Sequence, residues 1–442
     1  MEPSQPASPS GARRSLRNTA LLLVPLAIQS GACGQVLGLG DFEDTPPCTG
    51  DACTTTTGTG SGTGSGGMGG GQGGSASTSS AGGGGSGGTP IIPDDRPLVV
   101  TGQAHTCAIV VDQSLWCWGY NEFSQVGDGK TANVLTPVVI DAGPWATITA
   151  GYHHTCGIDD AGALYCWGEN YYGQLGDGTS ETHDTPNQVQ SGGNSWVGVS
   201  AGENHTCGIR DDGTLHCWGS NTYGQLGDGT TADHPFPTQI TTNSWIDVSC
   251  GGYFTCAVRN DGVTLCWGSN DAGQLGVGST AASLTPKEVV SGAATWVRVT
   301  AGSQHACARG ADNSLWCWGS NYAGQLGDGT NTDKTAPVQV PLGTTWANAS
   351  AGQGHTCAIR SDGGLWCWGS NSSAQLGDGS TTSTNSPIQI QASGWKSIDT
   401  GSLYSCGAVG GEVLCWGENS YGGVGNGTED DVDTPVVVWP PR

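Results

Sequence analysis

Five histidines recur in nearly the same setting, His105, His154, His205, His305 and His355, each two residues ahead of a cysteine. Together they look like a catalytic set. Two further repeats argue against chemistry, because Phe254 and Tyr404 stand where a histidine belongs. A phenyl ring can replace a packed imidazole but not a base or a ligand, so the expected role is packing or hydrogen bonding inside each repeat unit.

The cysteines come as pairs: Cys107 with Cys117, Cys156 with Cys166, Cys207 with Cys217, Cys256 with Cys266, Cys307 with Cys317, Cys357 with Cys367, and Cys406 with Cys415. No second C-x-x-C knuckle accompanies them, so zinc is not the reading. In an antiparallel hairpin, opposed residues have a constant index sum. Cys107 and Cys117 centre their turn on Asp112. The last pair is one residue closer, and its centre falls between Gly410 and Gly411, a dipeptide suited to a two-residue turn with positive φ. The cysteines stay opposed although the turn shortens. Opposed Cα atoms lie about 4.5–5.5 Å apart, within reach of a disulfide. One cross-strand disulfide per unit follows.

A third set is acidic. G-D-G-T-type turns carry Asp128, Asp177, Asp228, Asp328 and Asp378, with Val277 and Asn426 in the remaining units. Carboxylates in a ring can hold Ca²⁺, above all where Asp184, Asp233 or Asp333 follows. Aspartate before glycine is also ordinary turn chemistry, and that is the reading taken, with no metal and no cofactor expected.

These groups are positioned by a repeat of 49–51 residues in seven copies. Each unit holds about four short runs rich in Val, Ile, Thr, Trp and Tyr, separated by Gly, Asn, Asp and Pro. No stretch beyond the N-terminus has helical periodicity. The fold class is therefore all-β, a seven-bladed β-propeller with about four strands and one disulfide per blade, over residues 97–442. In the hairpin register, His105, Cys107 and Ile109 share a face with Leu115, Cys117 and Gly119; Thr106 and Ala108 face the other way, opposite Trp118 and Trp116. Both faces hold packable side chains, so the indoles are expected to stack between blades. The same holds for the position before each second cysteine, which is Trp116, Tyr165, His216, Leu265, Trp316, Trp366 or Leu414.

Residues 1–32 read as an export signal: Arg13, Arg14 and Arg17, an apolar run from Ala20 to Ile28, then Ser30-Gly31-Ala32-Cys33. The end resembles a lipobox with Cys33 as lipid-bearing residue, although Ser30 stands where Leu is typical. Cleavage after Ala32 without lipidation is the alternative. Residues 33–96 form a tether, of which 54–89 are nearly pure Thr, Gly and Ser, a flexible coil of roughly 30–36 Å. Cys48 and Cys53 are expected to close a small loop at its base. Paired cysteines at this density imply an oxidising compartment, so the chain is read as exported, an envelope lipoprotein or secreted. Cys250 replaces the alanine of other units and reads as a small buried thiol.

The chain has 14 Lys+Arg against 38 Asp+Glu, a net charge of −24. This disfavours nucleic acid and anionic membranes, which require basic patches, and suits basic partners; a membrane is expected to be reached only through a lipid anchor.

The unit A-G-x-x-H-T-C-A-I…D-G-x-L-W-C-W-G-x-N-x-x-G-Q-L-G-D-G resembles the repeat of the regulator of chromosome condensation family, over about 97–442. The resemblance implies a seven-bladed propeller and, with the export signal, an exported bacterial member. The family's nucleotide exchange on a small GTPase and its chromatin binding are not expected in an acidic, exported chain. A secreted relative inhibits β-lactamases through one propeller face. The expected function is a non-enzymatic module that binds a protein or glycan through its variable loops; the alternatives are an inhibitor of a secreted enzyme or a carbohydrate-active propeller enzyme. Variation concentrates after each G-D-G-T turn, and the favoured contact residues are Glu429, Asp430, Asp431 and Asp433, with Asp184, Asp233 and Asp333.

Overall fold

The computed structural model describes residues 97–440 except 142, 191, 192, 291, 294 and 342–344. The export segment, Cys33, the Cys48–Cys53 pair and the tether lie outside the described residues.

The described chain forms 28 strands in seven four-stranded sheets, each made from four consecutive strands paired antiparallel. Blade one takes Leu98–Thr101, His105–Ile109, Leu115–Gly119 and Val134–Asp141, from the central cavity outward. Blade seven takes Trp395–Thr400, Tyr404–Val409, Glu412–Gly417 and Val432–Trp439 in the same order. Among the described residues, no strand is shared between the first and last blades.

The hairpin register is as the sequence implies: His105 opposes Gly119, Thr106 opposes Trp118, Cys107 opposes Cys117, and Ala108 opposes Trp116. In blade seven, Gly410 and Gly411 take φ of 61° and 87°, and Cys406 still opposes Cys415. All seven blade cystines are present. Their Cα atoms are 4.0–4.1 Å apart, nearer the narrow class of antiparallel pair than the expected span.

The core is a set of layers between blades. Cys107, Ile109, Leu115 and Cys117 pack on Trp145, Ile148 and Trp167 of blade two. The opposite face of blade one, with Ala108 and Trp118, packs on Tyr404, Cys406 and Val424 of blade seven. The tryptophan that follows each blade's second cysteine is completely buried. The residue before each second cysteine is more varied: Leu265 and Leu414 are buried, while Trp116, Tyr165, His216, Trp316 and Trp366 are half-buried.

Antiparallel order fixes what lies at each end of a blade. The A-G-x-x turn (102–104 in blade one) and the long loop carrying W-G-x-N to G-D-G-T (120–133) share one end, here called the upper face. The second hairpin (110–114) and the step to the next blade lie at the other.

Candidate functional site

The motif histidines hold blades together rather than perform chemistry. His105 Nε2 lies 2.9 Å from Thr155 Oγ1 in blade two, and that hydroxyl donates at 2.7 Å to the Gln125 carbonyl of blade one. With the hydroxyl proton so spent, Nε2–H is the donor and the ring is neutral. The same relay joins His154 to Thr206, His205 to Thr255, His305 to Thr356 and His355 to Ser405. Phe254 has no proton to give, and the matching hydroxyl position in blade five is Ala306. At the closing seam Tyr404 donates to the His105 carbonyl at 2.5 Å, with Thr106 Oγ1 3.0 Å away. The hydrogen-bonding role holds, but it runs between blades, not inside one, because His105 shares the strand face of Cys107 and Ile109, which packs against blade two. Burial pushes these imidazoles down to about 3, or about 4 for His305. The preceding glycine is fixed by the ring: a Cβ on Gly151 would come 2.5 Å from His154 Cε1.

The G-D-G-T loops are organised from within. Asn121 Oδ1 accepts from the Val126 amide, and its Nδ2 donates to Asp128 and to the Lys130 and Ala132 carbonyls. The turn aspartate is engaged further, by Lys130, His183, His234 and Lys334 at 3.2, 2.6, 2.7 and 3.3 Å in four blades. These donors occupy the oxygens a Ca²⁺ would need.

The seven acidic residues favoured as contacts are all exposed, on four different blades at the outer part of the upper face. They do not converge. Asp233, Asp333 and Asp431 accept the backbone amides of Asn221, Asn321 and Asn419 at 2.7, 2.7 and 2.9 Å, so part of their work is inside their own loops. Cys250 is a buried free thiol, as expected. His205 and Cys207 lie close to it, but Cys207 is bonded to Cys217 and burial pushes the Cys250 thiol up to about 12, so neither sulfur is a thiolate ligand.

What the sequence reading missed sits nearer the axis. Eight of the ten tyrosines occupy variable positions of A-G-x-x-H and W-G-x-N-x-x-G, and both motifs end on the upper face. From blade seven to blade two they make a continuous aromatic crescent: Tyr421 lies 4.9 Å from Tyr120, His153 stacks on Phe123 at 4.5 Å, and Tyr171 meets Phe123 edge-on at 6.4 Å. Tyr223 and Tyr253, 5.0 Å apart, continue it on blades three and four. Tyr171, Tyr172, Tyr223 and Tyr421 expose 43–65% of their surface. Carboxylates are threaded through the rings. Tyr120 donates to Glu122 at 2.5 Å, Tyr253 donates to Glu203 at 2.6 Å, and His153 Nδ1 lies 3.2 Å from Glu169. No Lys or Arg occupies any variable position of these two motifs.

Inside the crescent, the inner strands surround a cavity of about 810 Å³. Its wall carries inter-blade bonds: Thr149, Ser200, Ser249, Thr300 and Ser350 accept an amide of the following blade at 2.9–3.2 Å. At the seam Asp399 takes that place, accepting the Thr101 amide and hydroxyl at 2.7 and 2.9 Å and the Ser350 hydroxyl at 2.8 Å. Burial raises its carboxyl and the hydrogen bonds oppose that rise.

These features define a closed seven-bladed propeller with a disulfide in every blade and one aromatic, acidic face. The chain belongs to the RCC1-like repeat family. Residues 189–441 match the signature of the RCC1-like domain, and residues 112–158 and 161–209 match that of the regulator of chromosome condensation repeat. It is 32% identical over 247 residues to the ultraviolet-B receptor UVR8 of Arabidopsis thaliana, covering 55% of this chain and 45% of that protein. It is 27% identical over 135 residues to the human E3 ubiquitin-protein ligase HERC2, covering 30% of this chain and 3% of that one. The chain thus spans less than half the length of these curated relatives. In fold it is similar to human WBSCR16 (TM-score 0.68, 19% identity, 74% of this chain and 94% of that one). It is also similar to Prp20p of Saccharomyces cerevisiae, described with its binding to Gsp1p and histones (TM-score 0.67, 21% identity, 75% and 87%).

Proposed function

We propose that this chain is a non-enzymatic binding module, exported and held at the cell envelope through Cys33, that captures a basic segment of a partner protein on its upper face. The observation that carries the reading is the crescent from Tyr421 to Tyr253, where exposed rings alternate with Glu122, Glu169 and Glu203 and no Lys or Arg pairs with these carboxylates among the described residues. Guanidinium groups stack on aromatic faces and pair with carboxylates at once, which makes arginine the side chain this surface fits best. The net charge of −24 adds long-range attraction for such a partner and favours it over a neutral glycan. The seven cystines are consistent with an exported protein. The outer acidic loops then steer, and the crescent grips.

The test is binding of a fluorescent arginine-rich peptide to the full-length chain, set beside a glutamate-rich control and repeated across salt concentrations. Tyr171→Ser with Tyr421→Ser should cut affinity tenfold or more without changing the melting temperature. Unchanged binding by that variant, or none to the intact protein at low salt, refutes the crescent as the contact surface.

A further inference from the structure

Blades five and six depart from the repeat at three places that face one cavity. The second strand of blade five carries Arg309, where the other six units have isoleucine, valine or alanine. Directly across the ladder is Arg298, its paired residue in the inner strand Trp296–Ala301. The facing inner strand of blade six, Trp346–Ala351, has Ala349 where every other blade has valine or isoleucine. Two large cations and a missing aliphatic group meet in the wall of the central cavity, which all three residues line.

Such an arrangement is unfavourable by itself. Like charges directly opposed across an antiparallel ladder repel, and a guanidinium half removed from water needs partners. Arg309 donates through Nη1 to Asn313, but its Nε is shielded from solvent and has no partner among the described residues. Neither guanidinium forms an ion pair among the described residues, in a chain with 38 acidic side chains. Burial, then Arg298, holds Arg309 below the ordinary guanidinium range, and Asp247 opposes this only in part. The carboxylates in the same wall already accept from protein donors: Glu203 from Tyr253, Asp247 from the Val299 amide, Asp362 from the Gly364 amide, and Asp399 from Thr101 and Ser350.

We propose that Arg298 and Arg309 form an oxyanion site in the cavity wall between blades five and six, taking the phosphate or carboxylate group of a small molecule. Paired guanidinium forks match the planar donor pattern that either group requires. A bound dianion turns the repulsion between them into attraction, and the space left by Ala349 admits it. The cavity, at about 810 Å³, is the size of an ordinary small-molecule site and takes the rest of the ligand. Both arginines lie toward the blade ends opposite the aromatic crescent, so this site goes beyond the protein-binding reading and does not depend on it.

The experiment is calorimetric titration of the full-length chain with sodium phosphate and, separately, sodium citrate at pH 7.5, with sodium chloride of equal ionic strength as control. Saturable binding at one site is expected for at least one of the two. Phosphate alone identifies a phosphoryl ligand, citrate alone a carboxylate ligand. R309I restores the residue of most other units and R298T that of blade two; each should weaken binding tenfold or more. R309I should melt no lower than the parent in chloride, because it removes a like-charge pair. If R309I does not fold, R298T decides. No binding beyond the chloride control, or a folded variant that keeps the parent's affinity, overturns the proposal.

Discussion

Acid should open this propeller through its buried histidines. Five neutral imidazoles are completely buried, with folded values near 3 to 4 against 6.5 in the unfolded chain. Depressed folded values mean that the unfolded state binds protons first as pH falls below 6.5. The stability these groups contribute is thus present above 6.5 and is lost progressively toward their folded values of about 3 to 4. By linkage each imidazole withdraws about 2 kcal/mol at pH 5. Several acting together rival the whole stability of an ordinary domain. The interface of blades four and five shows how to isolate one, since Phe254 is matched across it by Ala306. The double variant His154→Phe with Thr206→Ala transplants that pair to the interface of blades two and three. Urea unfolding followed by tryptophan fluorescence, with disulfides intact, gives the free energy at pH 7.5, 6 and 5. The parent should weaken steeply over this range. The variant should lie within about 1 kcal/mol of it at pH 7.5 and lose about 2 kcal/mol less by pH 5. The carboxylates are common to both proteins and cancel in the difference. Parallel pH curves would show that the imidazoles do not drive the loss.

Three further outcomes are expected. Trp118→Ala should cost about 3–5 kcal/mol in the same assay, because the indole is fully buried and its Nε1 donates to the Gly423 carbonyl; half-buried Trp116→Ala should cost less. Non-reducing peptide mapping should recover Cys107–Cys117 and its six counterparts, and replacing Cys156 and Cys166 together by alanine should lose about 2–3 kcal/mol. Changing Glu429, Asp430, Asp431 and Asp433 to Ser should leave melting nearly unchanged, since a serine hydroxyl, Ser383, already accepts the equivalent Asn371 amide, while flattening the salt dependence of peptide binding.

Much of the architecture was legible because the repeat is nearly rigid. A constant index sum placed seven disulfides, and the shortened turn at Gly410-Gly411 tested the register from within. The histidines were legible as structural from Phe254 and Tyr404, but their direction was not. Residues fifty positions apart, such as His105 and Thr155, meet only once blades stack, and no pattern local to one unit says so. The crescent was hidden for a different reason. Its tyrosines occupy the variable slots inside the most regular motifs, where comparing units draws the eye to what is constant. The signal was present in the crowding of eight tyrosines into those slots. The arginine pair was hidden likewise, since Arg298 and Arg309 become neighbours only through the ladder.

The closing seam has a consequence for how such a chain can be rearranged. Because blade seven is made wholly from the last four strands and blade one from the first four, the ring is joined there by Tyr404, Asp399 and Trp118 rather than by a borrowed strand. The chain therefore has no privileged starting blade. Joining residue 440 to residue 97 would repeat the outer-to-inner step already made six times, and new termini could be opened between any two blades. A circular permutant beginning at Trp145 would keep every four-stranded sheet and every cystine. By the same logic, whole units can be gained or exchanged by duplication at any point around the ring without cutting a sheet.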